Sequence, residues 1–294
     1  MPLGGFTLST KDIGWFGEDL SRPECVLAQH DGTLWCSDDR GGVARIGADG
    51  RHAVVGKVPG LPNGIALEGG GAILIANIGA GKVERLHRDA SHETVLESFS
   101  GRPLGSVNFV YRDGARVWVT VSTRVVPLND AVQKPTPDGY ILLLENGTAR
   151  LAAEGICFTN EVRIDRARRH LYVSETARGR ILRLALGADG ALGPPETFGP
   201  DPLCPGARVD GIAFDAEGNL WVTEISRNAL FVIAPDQTCR CVFEDPSATT
   251  VNFPTSLCFA GPDLKTVYIG SIRMKRLGVF RSPVAGEPMQ HWSD

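Results

Sequence analysis

The chain has 294 residues, with 30 Lys and Arg against 34 Asp and Glu for a formal charge of −4, and its pI lies near 5.9. That near-balance argues against a concentrated basic face, so the expected partner is a small molecule and not nucleic acid or an anionic membrane. With 43% hydrophobic and 22% charged residues the chain is expected to fold around a core, and no apolar run approaches the ~18–20 residues that span a bilayer. The start, Met1-Pro2-Leu3-Gly4-Gly5-Phe6, has neither the basic nor the apolar stretch of a signal peptide. Seven cysteines at scattered spacings suggest reduced thiols in a cytoplasmic protein. Cys239 and Cys241, without further soft ligands in sequence, do not spell a zinc site.

Glycine and proline, 35 and 19 residues, fall mostly between short runs of β-branched and aromatic residues, the pattern of many strands joined by turns. In chain order, Phe6–Ser9 reads as a short strand. Pro23-Glu24-Cys25-Val26-Leu27, a turn at Asp31-Gly32 and Leu34–Ser37 form a strand pair, followed by Gly42–Ile46. The same layout returns at Pro62-Asn63-Gly64-Ile65-Ala66 with Ile73–Asn77. It returns again at Val107-Asn108-Phe109-Val110, a turn at Asp113-Gly114, and Val117–Thr120. The segment Arg124–Asp138 is too long for a blade turn and reads as a channel cover or a plain insertion. Thr159-Asn160-Glu161-Val162 with Leu171–Glu175 makes a fourth copy, around the charged turn Asp165–Arg169. Val209-Asp210-Gly211-Ile212 with Leu220–Glu224 makes a fifth, and Pro254-Thr255-Ser256-Leu257 with Val267–Gly270 a sixth.

The residues heading these copies are Glu24, Asn63, Asn108, Asn160, Asp210 and Thr255, at steps of 39, 45, 52, 50 and 45 residues. A period of ~40–50 residues with about four strands per copy is that of a β-propeller. The expected fold is therefore all-β: a six-bladed β-propeller with four-stranded blades, one domain over residues 1–294, with Phe6–Ser9 closing the last blade. In such a ring the innermost strands line a central channel, so all six heads fall at one level. Any one of them has a bland reading; Asn63-Gly64 or Asp210-Gly211 alone would pass for a turn. Their common phase is what matters. Two carboxylates and several amides around one axis form an oxygen-rich cage for a hard divalent cation, which offsets the repulsion of the gathered carboxylates.

These residues, with the stretch Asp210-Gly211-Ile212-Ala213-Phe214-Asp215-Ala216-Glu217-Gly218-Asn219-Leu220-Trp221-Val222, resemble the gluconolactonase/regucalcin family, also called the senescence marker protein family. The resemblance runs from Glu24 to about Ile269. It implies six blades and one divalent ion in the channel, held by Glu24, Asn160 and Asp210, with Asn108 contacting the ion or the substrate. Squid-type diisopropylfluorophosphatase is similar in its Glu, Asn and Asp ligands. The chain departs from the family around the ligands: Gly-Glu-Gly-Pro becomes Arg22-Pro23-Glu24-Cys25, Asn-Asp-Gly becomes Asn108-Phe109-Val110, and Asn-Gly becomes Asn160-Glu161.

The expected function is that of a metal-dependent hydrolase that opens a lactone. An ion with open positions polarises the carbonyl or acidifies a bound water, and Asp210 serves as general base or nucleophile. Asn108 is a second donor to the oxyanion, and Arg124 and Glu161 are expected to contact substrate at the mouth. Glu175 and Glu224 stand at the ends of blade strands and read first as solvated charges, with orienting ligands or contacting substrate as the alternative for them as for Glu161. All-oxygen ligation suits calcium, magnesium or manganese best, calcium first, with zinc or ferrous iron also accommodated. The six histidines (His30, His52, His87, His92, His170 and His291) stand in turn-like or charged contexts and support neither a zinc site nor a triad. Competing readings are a phosphotriester hydrolase, a biosynthetic ring-opening or ring-forming enzyme on the same site, and a non-catalytic binding propeller. A monomer or weakly associating homo-oligomer is expected.

Overall fold

The structure is a computed structural model and describes residues 3–293. Met1 and Pro2, which open the segment read above for a leader, and Asp294 lie outside the described residues. Six four-stranded antiparallel sheets are arranged as blades, and the innermost strand of each packs on that of the next until the sixth meets the first. These inner strands are Val26–Ala28, Pro62–Leu67, Val107–Asp113, Thr159–Ile164, Val209–Phe214 and Pro254–Ala260. Each lies between neighbouring blades and is covered on both faces. That is why they read as near-continuous apolar runs, where a half-exposed strand would alternate. In blade five the inner strand is wholly buried while the outermost, Cys239–Glu244, is largely open to solvent.

Aromatic side chains from the second strand of one blade pack on phenylalanines of the next. Tyr172 meets Phe214 at 5.0 Å and Trp221 meets Phe259 at 5.7 Å, both edge to face, contacts worth about 0.5–1.5 kcal/mol each beyond area burial. Asp215 anchors the most family-like stretch. Its buried carboxylate accepts hydrogen bonds from the Asn219 amide and from Trp221 Nε1 at 3.0 Å, which ties the turn to the inter-blade tryptophan.

The ring closes through the N-terminal side of the chain, but not with Phe6–Ser9. The outermost strand of blade six is Gly14–Phe16, paired antiparallel with Leu277–Arg281. Phe6 instead sets its ring edge-on to Trp221, and the Leu8 N–H donates to Val242 O. Those apolar residues are thus used for packing against blade five, leaving pairing to the next segment. No helix among the described residues is long and apolar enough to cross a membrane.

One end of the channel is crossed by the C-terminal segment. The Glu287 N–H donates to Phe214 O, the Trp292 indole N–H donates to Ala28 O, and His291 Nε2 lies 2.7 Å from the same carbonyl. Beneath it is an apolar void of about 90 Å³. Partial burial, followed by the nearby carboxylates of Asp165 and Asp215 and opposed by Arg166, lifts the Glu287 carboxyl from 4.5 to about 7. A raised carboxyl keeps a proton in the folded state that the unfolded chain gives up. Its contribution to stability is therefore complete below pH ~4.5 and is lost as pH rises through about 7. Urea unfolding at pH 5 and pH 8 should show Glu287→Gln flattening the wild-type decline by about 1 kcal/mol, after allowance for solvent screening; parallel slopes would contradict this.

Candidate active site

The opposite end of the channel carries the polar heads, and a repeated backbone irregularity aims them. In blades two to six the pairing of the inner strand with its neighbour slips at the head residue: between Pro62 and Ile65, Val107 and Phe109, Thr159 and Val162, Val209 and Ile212, and Pro254 and Ser256. A β-bulge re-aims the side chain it contains, so Asn63, Asn108, Asn160, Asp210 and Thr255 all turn toward one mouth. Asn63-Gly64 and Asp210-Gly211 are therefore strand bulges and not turns. Their glycines answer to close approach: a Cβ on Gly211 would stand 2.5 Å from Thr255 O, and one on Gly64 2.5 Å from Phe109 Cδ2.

Glu24 enters just ahead of the first inner strand. Its N–H donates to Arg22 O at 2.7 Å and its carbonyl accepts from Thr255 Oγ1 at 2.8 Å. Asn63 is the hub of the level. Its Nδ2 donates to Glu24 Oε1 at 2.8 Å and to Asn108 O and Oδ1 at 2.9 and 3.3 Å, while its Oδ1 accepts from Arg22 Nη2 at 2.7 Å. Thr176, unnoticed in the sequence, fixes Asn160: it accepts from Asn160 Nδ2 at 3.1 Å and donates to Val209 O at 2.7 Å. Thr255 and Asn63 thus orient neighbouring groups.

The electrostatics and the orphaned acceptors fit a cation. Burial first, then the charge on Glu161, pushes the Glu24 carboxyl up, against the pull of Arg22 and Asn63. Burial followed by Glu24 and Glu161 raises Asp210 well above the usual carboxylate range, with Arg22 opposing. Asn160 Oδ1 and Asp210 Oδ1 are buried without a hydrogen-bond partner, although buried acceptors are almost always satisfied. The donor set is all oxygen: two carboxylates and amides. Among the described residues no group of three or more His, Cys, Asp or Glu side chains is gathered for a metal, Cys204, Cys239 and Cys241 included.

Asn63→Leu should remove the donors that hold Glu24 and Asn108 and leave Arg22 facing a hydrocarbon. We expect divalent-ion affinity to fall about 10–100-fold and stability by about 1–3 kcal/mol. Calcium calorimetry and thermal melting read both effects, and unchanged affinity would contradict the hub role.

Above the heads lies a cavity of about 550 Å³ lined by Glu24, Asn108, Asn160 and Asp210 together. Among the described residues, five of the twelve non-glycine residues with positive φ line it: Arg22, Phe158, Asn228, Ala248 and Phe253. Such concentrated backbone strain persists only where surroundings over-determine it, commonly at functional sites. The Phe253 N–H, for instance, is held by Asn228 Oδ1 at 2.7 Å.

Two expected substrate residues are not on this cavity. Glu161 is buried beneath the heads, paired with Arg163 Nη2 at 2.9 Å and accepting from the Ile212 N–H at 3.3 Å; the bulge sends consecutive side chains to successive depths of the channel. Arg124 turns outward and lays its guanidinium over the Tyr140 ring at 4.4 Å. The segment that Arg124 opens does reach the mouth, since its short helix Asn129–Gln133 places Asn129 and Val132, with the adjoining Leu128, on the cavity wall. Its base is stapled by Asp138, which accepts from Thr123 Oγ1 and the Arg124 N–H. Glu175 and Glu224 are buried, not solvated, and accept the backbone N–H groups of Cys157 and Arg208 at 2.7 and 2.8 Å. They fix the loops that enter blades four and five.

Missed altogether were Arg22, Phe158, Arg208 and Phe253, which line the cavity. Each stands two residues before a head, so the repeat phase that found the heads also held the signal for this next tier.

The structure is thus a closed six-bladed propeller with buried oxygen donors at the floor of a cavity that opens at one end of the channel. The family model described as SMP-30/Gluconolactonase/LRE-like region matches residues 22–273, and the chain belongs to that family, as the head residues suggested. It is 28% identical over 128 residues to the 6-deoxy-6-sulfogluconolactonase of Pseudomonas putida, covering 44% of this chain and 43% of the relative. It is also 28% identical over 136 residues to a pentonolactonase of Haloferax volcanii, covering 46% and 45%. The chain thus spans less than half the length of the curated relatives it matches. The structure of the calcium-binding protein regucalcin from Agrobacterium tumefaciens superposes with a TM-score of 0.78 at 19% identity, over 94% of this chain and 96% of that one. It shares the six-bladed fold.

Proposed function

We propose that this chain is a metal-dependent hydrolase that opens a lactone to its hydroxy acid. The carrying observation is the pair of buried, unpartnered acceptors, Asn160 Oδ1 and Asp210 Oδ1, at the floor of the cavity. Two relatives named as lactonases support the substrate class. Glu24, Asn160 and Asp210, with Asn108 beside them, would hold one divalent ion, calcium first. Such an ion supplies Lewis-acid polarisation of a carbonyl and acidification of water.

The chain's own residues do the rest. Asp210 accepts a proton from the water that adds to the lactone carbonyl carbon, and the carbonyl π pair moves onto its oxygen. Asn108, its Oδ1 held by Asn63 Nδ2, offers amide N–H groups to that oxygen. Collapse breaks the bond to the ring oxygen, which takes the proton from Asp210, giving one hydroxy acid from one lactone and one water. The wall formed by Leu128, Val132 and Phe158 excludes bulk water from one side.

The test is product identification by NMR, with five- and six-membered lactones and a phosphotriester each supplied to the metal-loaded protein. Appearance of the open hydroxy acid is expected. Turnover of the phosphotriester alone, or of neither, would refute the lactone reading.

A further inference from the structure

The tier above the heads has a charge pattern that lactone opening does not require. Arg208 comes from blade five, Arg273 from blade six and Arg22 from blade one, so three guanidinium-bearing residues occupy consecutive blades around one side of the cavity. Their hydrogen-bond and stacking partners are neutral, and Arg22 alone also stands in the field of the Glu24 and Asp210 carboxylates. Arg22 donates to Asn63 Oδ1 and Pro62 O, Arg208 Nη1 donates to Ala207 O, and Arg273 lies over the Phe253 ring at 4.5 Å. Among the described residues, Glu24 and Asp210 are the only acidic side chains on the cavity, and both lie at its floor. Three guanidinium groups on the wall outnumber the two carboxylates at the floor.

Stacking on an aromatic face leaves the in-plane N–H donors of a guanidinium free, in a fork that matches carboxylate, phosphate or sulfonate oxygens. Phe253 is itself fixed by Asn228, and the loop of Arg208 by Glu224, so the arc is held in place. Opposite it, Phe158, Leu128 and Val132 present hydrocarbon. The cavity is cationic on one side and apolar on the other.

We propose that the substrate carries a second, permanently anionic group, a carboxylate, phosphate or sulfonate, that seats on Arg208, Arg273 and Arg22 while its carbon frame lies on the Phe158 wall. The identification of that substrate as a lactone rests on the function proposed above; the anion seat itself does not.

The test has two independent readouts. Proton release gives kcat/KM for a neutral aldonolactone and for counterparts bearing carboxylate, phosphate or sulfonate at the terminal carbon, each an arm that identifies the anion. Calorimetry gives the affinity of the corresponding open-chain acids, which need no turnover. We expect at least about a tenfold preference for one anionic lactone over the neutral one. The preference should shrink about tenfold in Arg273→Met and Arg208→Met, with a matching loss of acid binding. Melting curves establish that the variants fold. If either variant fails to fold, the wild-type preference and its suppression by high salt decide the matter. Equal use of neutral and anionic lactones, unchanged in the variants, would overturn the anion seat and leave the lactonase reading standing. Arginine-dependent binding of the acids without hydrolysis of any lactone would do the reverse. Neither hydrolysis nor arginine-dependent binding would overturn both.

Discussion

Asp210→Asn should lower kcat for lactone opening by about 10²–10⁴-fold while the divalent ion still binds. The side chain is buried at the cavity floor, and its Oδ1 has no hydrogen-bond partner. Asparagine keeps the size and one oxygen of aspartate, so the cage keeps its shape but binds the ion more weakly, and the comparison is made at an ion concentration that saturates the variant. What is lost is the negative charge that draws a proton from water. The substitution also relieves part of the repulsion that Glu24 and Asp210 impose on each other, so the variant should melt no lower than wild type in the absence of metal. The measurement is steady-state proton release at saturating ion, paired with calorimetric ion binding. Full turnover with the ion still bound would remove Asp210 from the chemistry.

Divalent ion should raise the melting temperature by about 10 °C at a concentration a thousandfold above Kd. An ion that binds only the folded state contributes about 4 kcal/mol at that ratio, and in a chain this long each kcal/mol moves Tm by roughly 2–3 °C. The physical source is the cost of the empty cage: two buried carboxylates share it, and two buried acceptors there have no donor. Glu24→Gln should lose most of the response, because one of the two charges facing the ion is gone. Melting curves with calcium, magnesium, manganese and zinc, each added to chelator-treated protein, read this directly. The same Tm in all of them would contradict a cation site.

The six blades and the gathering of Glu24, Asn108, Asn160 and Asp210 were legible because a propeller turns sequence phase into spatial level. The heads recur at one place in each repeat, and the ring carries them to one mouth. The finer aim was not legible. A bulge is a local slip in pairing, and nothing in Thr159-Asn160-Glu161 says that Asn160 faces the cavity while Glu161 drops below it to meet Arg163. Arg124 was legible as the start of a long insertion, but its stacking on Tyr140 depends on a side chain 16 positions further on. The closing strand was misplaced for a related reason. Phe6 and Leu8 carry the apolar alternation, whereas Gly14–Phe16, which does the pairing, leaves Trp15 42% exposed. Thr176 gave no signal at all, because its role is to hold a residue 16 positions away.

The most direct measurement is proton release from a lactone panel by protein stripped with chelator, before and after one divalent ion is restored. Hydrolysis that vanishes on stripping, returns with one ion per chain and stays absent in Glu24→Gln at the same ion concentration is the predicted result. Undiminished hydrolysis by the stripped protein, or none at all with an ion tightly bound, would contradict a metal-dependent lactonase.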